Sequence, residues 1–291
     1  MDKKAVKSPK KKQSVSSAKD APWPWFFSVR PKALIWTVVA TLVLAWFLFL
    51  AHDIWQWFNW IDRPMWTMLF NDKPVEWIQW FFLAFAIAMS GYLSARLDVL
   101  GRKGAGKFFF WFAIGLGIML IEEAGDIRHI LSGEVQRLIM DDKLFGLPYR
   151  SVTDLMYFIG VAAVPLYAVV RYGKYAWQAV QSRKFFVSSI VLFAIAAVGS
   201  GARYIGDFYM RAGMWIDDNL FGGRFPGAED HSPESNYLLL IDSPIEETIE
   251  TLAATFLVVA ILLFAIALRS GKLPAENKVD QKDSQRDKTK K

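Results

Sequence analysis

Between Ala33 and Ala51 the chain reads ALIWTVVATLVLAWFLFLA, nineteen residues without a charged side chain. At about 1.5 Å of rise per residue, a helix of this length crosses the roughly 30 Å hydrocarbon core of a bilayer. A surface helix of a soluble domain would break such a run with a polar face every few positions. No break occurs here, so the segment predicts a transmembrane helix. In hydrocarbon a backbone has to satisfy its own N–H and C=O groups, which leaves only helices or a closed barrel. Continuous apolar blocks, as opposed to alternating ones, select helices.

Five further blocks follow, and together they predict an all-α polytopic membrane helix bundle. Its six transmembrane helices fall at about 33–52, 76–95, 108–128, 152–170, 185–205 and 246–268, within one transmembrane domain covering 23–270. The first run is long and has no small-x-small cleavage site after it, so it reads as an uncleaved span. Pro165 lies inside the fourth span and predicts a kink there. Residues 1–22 and 271–291 are polar, rich in lysine and poor in large apolar side chains, the composition of disordered tails.

The lysines and arginines also set an orientation. Arg96, Arg102, Lys103 and Lys107 occupy one loop, Arg171, Lys174, Arg183 and Lys184 another, and both tails are basic. The intervening loops mix fewer basic residues with many acids. By the positive-inside rule both termini are cytoplasmic (N-in/C-in), and the chain belongs in the cytoplasmic membrane if it is bacterial. The formal charge of +6 is therefore read as orientation signal and attraction to anionic headgroups, with the bilayer as partner and no nucleic acid. The absence of cysteine rules out disulfides, thiolate metal sites and iron–sulfur clusters.

Against this background one stretch stands out. The apolar run FFFWFAIGLGIMLI (Phe108 to Ile121) leads straight into EEAGDIRHI, with Glu122, Glu123, Asp126, Arg128 and His129. If the third helix continues to 128, Glu122, Asp126 and His129 share a face within about 60°, while Arg128 points away. The sixth span opens with SPIEETIETL, in which Glu246 and Glu250 are i, i+4 and Glu247 and Glu250 are i, i+3. Asp154 stands at the outer start of the fourth span, and Arg203 and Asp207 at the outer end of the fifth. The outer half of the bundle is where the ionisable residues gather.

Several of these have ordinary explanations. Ser243 to Glu246 and Ser151 to Asp154 both have the form of helix N-caps with an acid three residues on. Arg203 and Asp207 have the spacing of an i, i+4 ion pair. His52 reads as an interfacial residue and His231 as part of a solvated loop. Glu122, Glu123, Asp126 and His129 resist such accounts, because they close a helix, where the dipole opposes negative charge. A lone charge in the slab costs on the order of 3 kcal/mol or more.

Asp126 and His129 form D-x-x-H, and Glu247 and Glu250 form E-x-x-E. Helix bundles build carboxylate-bridged metal centres from such pairs on facing helices. The reading is a divalent metal, Fe, Mn or Zn, held by Glu122, Asp126, His129, Glu247 and Glu250. Glu123, Arg128, Asp154 and Arg203 act around it as proton acceptor and charge partners. Two alternatives stand beside this. One is an accessory subunit whose buried charges form an inter-helix ion network, and the other a cation- or proton-coupled transporter. Residues 205–246, rich in glycine, aromatics and acids, form a candidate lid or docking loop for a membrane or periplasmic protein. No phosphate loop, nucleophile elbow or H-E-x-x-H string is present, so no reaction is assigned.

Overall fold

A computed structural model describes residues 22–55, 67–71, 74–138, 143–223, 225 and 232–276. After a short turn at Trp25–Ser28 the helices are α1 (Pro31–Trp55), α2 (Pro74–Val99), α3 (Lys103–Gly125), α4 (Ile127–Leu138) and α5 (Tyr149–Ala176). They continue with α6 (Val180–Ala202), α7 (Phe208–Ile216), α8 (Pro233–Leu240) and α9 (Glu246–Arg269). A two-residue hairpin, β1 (Lys143–Leu144) with β2 (Leu147–Pro148), precedes α5. Among the described residues six helical segments are long and apolar enough to cross a membrane. The protein is a polytopic membrane helix bundle, and its surface fits one: Trp36, Phe47, Phe81, Ile121 and Val170 project outward.

The last helix is the axis of the bundle. It is the most hydrophobic of the six, and 72% of its apolar window is buried, against 11% for α5. It packs on α6, α2 and α1, while α2 packs on α3 and α3 on α5. Aromatic rings fill the space between: Phe109 meets Phe264 at 4.8 Å between centroids, tilted, and Phe108 meets Phe186 edge-on at 5.8 Å. Lipid is as apolar as leucine, so hydrophobic exclusion cannot hold such helices together; close packing and interhelical hydrogen bonds do. Two of these bonds run from α6 to backbone carbonyls of α9, from Ser182 Oγ to Ala260 and from Ser189 Oγ to Ala253, each 2.8 Å. Both carbonyls lie in a helix interior and keep helical partners. Ser182→Ala and Ser189→Ala are each expected to cost only about 0.6 kcal/mol, read by unfolding in mild detergent.

The ends of the bundle are distinguished by their contacts. Trp46, late in α1, donates from Nε1 to Thr248 Oγ1 in the first turns of α9 at 3.0 Å. At the other end residues beyond α9 are tied down: Arg102 donates to the carbonyls of Leu273 and Pro274. Glu276 there accepts from the N–H groups of Gly104 and Ala105 at 2.9 and 2.8 Å. A carboxylate thus satisfies orphan donors at the start of α3. Residues 271–276, read from composition as the start of a disordered tail, are docked; the rest of both predicted tails, apart from Pro22, lies outside the described residues.

Two helix boundaries depart from the sequence reading. The third span does not run to 128. It stops at Gly125, Asp126 takes a left-handed conformation (φ 50°), and α4 sets off in a new direction. Glycine followed by aspartate is a physical stop signal, since aspartate is among the few residues that tolerate that region. Nor does the last span begin at a Ser243 cap. The helix starts at Pro233, where Ser232 Oγ accepts the N–H of Ser235, and reaches Glu246 through a π-helical turn at Ile241–Ile245. Pro244 sits inside that turn. A π turn shifts the hydrogen-bond pattern by one residue, so a residue without an N–H is accommodated without a chain break.

Candidate functional site

At the end of the bundle away from Pro31 and Arg269, the first turns of α9 meet the last turn of α3, and a chamber of about 260 Å³ opens between them. Glu76 of α2, Glu122 and Glu123 of α3, and Glu246, Glu247 and Glu250 of α9 line it, with Asp242 from the π turn and Asp126 at the helix break. Arg128, His129 and Arg203 complete the charged wall. Among the described residues, eight carboxyl groups thus line the chamber with two guanidiniums and one imidazole.

The basic groups are largely committed. Arg203, 6% exposed, donates from Nη1 to both oxygens of Asp242 at 2.6 Å, and its Nη2 lies 3.7 Å from Asp154. Burial favours loss of its proton, but the facing Asp242 carboxylate more than offsets this and holds the guanidinium charged more firmly than usual. Arg128 donates from Nη1 to Ser200 Oγ at 2.6 Å and lies over the Phe158 ring. Asp126 and His129 pair with each other, half-exposed, at the mouth of the chamber. Deeper in, Gln79 of α2 donates from Nε2 to Glu250 Oε2 at 3.0 Å. Tyr209 stands nearby on α7, and burial, reinforced by Glu246 and Asp242, pushes its phenol above the ordinary range.

These positions revise several sequence expectations. The i, i+4, i+7 face of Glu122, Asp126 and His129 does not exist, because the helix ends between Glu122 and Asp126; the three reach the chamber from separate elements. The same break turns Arg128, expected to point away, into a lining residue. Arg203 ignores Asp207, which is exposed and bonds Arg211, a contact that holds its carboxyl below the ordinary range. Asp154 is not a cap either: it lies buried behind the chamber wall facing Arg203. Glu76, Gln79 and Asp242 were missed. Glu76 and Gln79 share the i, i+3 spacing noticed in other spans, and Asp242 directly precedes SPIE. The side chain of His52 and all of His231 lie outside the described residues.

Among the described residues no group of three or more histidine, aspartate or glutamate side chains is arranged to hold a metal ion. Within the D-x-x-H motif Asp126 and His129 bond each other. Comparison with protein-family models, curated proteins and solved structures found no match to this chain.

Below the chamber the character changes. α5 leans on α3 and α6 without extensive contact to α9, and the gap holds a second cavity of about 190 Å³. Phe112, Leu116, Val161, Pro165, Phe193 and Leu257 line it, and Glu122, Glu123, Phe158 and Glu250 belong to both cavities.

Proposed function

We propose that this membrane protein binds a cation in its acidic chamber. The carrying observation is the imbalance, among the described residues, of eight carboxyl groups against two arginines, each of which already has a partner. Such a wall, at membrane depth, is stable only if protons or a cation offset its charge. With the basic loops cytoplasmic, the chamber opens to the outer side. The divalent-metal reading is the narrow form of this proposal, with Glu122, Asp126, His129, Glu247 and Glu250 as its ligands. The wall placement of these side chains favours a looser, hydrogen-bonding cation over a closely coordinated Fe, Mn or Zn. A second reading is favoured at the buried wall alone, where Arg203 between Asp154 and Asp242 has the geometry of an inter-helix ion network. Ion transport through the bundle gains no support, since apolar side chains line the space beneath the glutamates.

The test is calorimetric titration of the purified protein with Na⁺, K⁺, Mg²⁺, Mn²⁺ and ethylammonium, beside elemental analysis of wild type, His129→Ala and Glu247→Ala. Saturable binding of at least one cation is expected, weakened about tenfold or more in Glu250→Gln. Stoichiometric metal lost in both alanine variants would restore the narrow form. No heat with any of the five cations, and no metal, would leave only the ion network.

A further inference from the structure

Resting on the cation reading, we infer that the ligand is a long-chain amine: its ammonium head in the acidic chamber, its hydrocarbon tail in the apolar cavity between α3, α5 and α6. Three independent features of the site point to this class.

The first is continuity. The two cavities share Glu122, Glu123, Phe158 and Glu250 as walls, so a molecule at the glutamates already touches the apolar space. From Glu123 to Phe112 along α3, and from Phe158 to Val169 along α5, the apolar lining descends roughly 16 Å into the bilayer. That depth is unused by a small ion.

The second is what the buried polar atoms lack. Gln79 is fully buried and gives its amide to Glu250, but its Oε1 has no donor; Glu246 Oε2 and Glu247 Oε2 are buried without one either. All three are acceptors; Glu246 and Glu247 line the chamber and Gln79 holds its Glu250, while the unpartnered nitrogens beside them, Arg128 Nε and Arg203 Nε and Nη2, belong to guanidiniums already held by Ser200 and Asp242. A primary ammonium brings three N–H donors and a positive charge at once. A carboxylate or phosphate head brings neither, and would face the acids.

The third is access. α5 is the least buried of the six spans, and Leu166 on the cavity wall is nearly half exposed. Gly115 of α3 lies so close to Pro165 that an added Cβ would stand 2.5 Å from the ring. That contact pins the middle of α5, and Pro165 has no N–H to give the carbonyl of Val161. The helix is thus anchored at Pro165, with its outer face exposed, and a tail dissolved in the bilayer enters beside it without crossing water.

The experiment uses the full chain in nanodiscs of zwitterionic lipid and a dodecylamine carrying a photoreactive diazirine at the tail end. Peptide mapping after illumination is expected to place the label on cavity residues of α3, α5 and α6, such as Phe112, Val169 and Ile190. Glu250→Gln is expected to reduce that labelling about tenfold, and a dodecanol probe with the same tail to give little of it. Label spread over the lipid-facing sides of α1 and α5 would overturn the inference, as would equal labelling by the alcohol. Ethylammonium titration separates the two levels. If it binds but the probe labels only the outside, the tail site falls and the cation site stands; if neither binds, both fall.

Discussion

Replacing Arg203 by glutamine is expected to destabilise the purified protein by about 3–5 kcal/mol, the largest single effect at the chamber. The guanidinium is 6% exposed and stands between two carboxylates, Asp242 at 2.6 Å and Asp154 at 3.7 Å, with Asp154 itself 3% exposed. Removing the cation leaves two acids facing each other out of water, and glutamine offers dipoles in place of a charge. The cost is that of uncompensated carboxylates and not the net worth of the ion pair, which desolvation keeps small. Asp242→Asn in the Arg203→Gln background is therefore expected to recover part of the loss, whereas independent sites would add. Thermal or denaturant unfolding in mild detergent reads both. A loss under about 1 kcal/mol would mean that water reaches the pair and that the contact is worth no more than a surface salt bridge.

Gly213→Ala is expected to push α7 away from α8, the helix that leads into the chamber wall. Gly213 on α7 presses against α8 so closely that a Cβ would stand 2.1 Å from the carbonyl oxygen of Tyr237 and 2.7 Å from its carbon. Both partners are backbone, so no rotamer change relieves the clash, and one helix has to move. Overpacking of this kind costs about 1–3 kcal/mol, more where the backbone cannot yield. Because α8 runs through the π turn into α9, a shift there also moves Asp242, Glu246 and Glu247. Faster proteolysis within residues 205–246 is expected, at a smaller change in the unfolding of the whole bundle. Gly160→Ala serves as control: nothing lies within 4 Å of its added Cβ, and the change is expected to stay within about 1 kcal/mol. Equal behaviour of the two variants would show that α7 does not need its close seat on α8.

Much of this architecture was legible in the chain itself. Six apolar blocks predict six spans because a bilayer imposes one length and one hydrogen-bonding solution on any segment that crosses it. The gathering of acids at one end was equally visible, since a charged residue beside an apolar run is placed by counting turns. Local start and stop signals are in the chain too: Gly125 with Asp126 ends α3, and Ser232-Pro233, not Ser243-Pro244, starts the helical run that leads into α9.

Partner choice was not legible. Arg203 takes Asp242, thirty-nine residues away, over the Asp207 one turn along, and Arg128 reaches Ser200 on another helix. Helical spacing lists which neighbours a side chain can touch on its own helix and says nothing about groups that other helices bring. Likewise, nothing in the composition of α5 announces an apolar cavity behind it, since a gap between helices is a property of how they lean and not of any one of them. The sequence by itself determined how many helices cross and which ends carry the charge, because those follow from each segment's own transfer from water to lipid. Only the tertiary structure decided which charges meet, which acceptors go unpaired and where an apolar space remains, because those depend on distances between segments far apart in the chain.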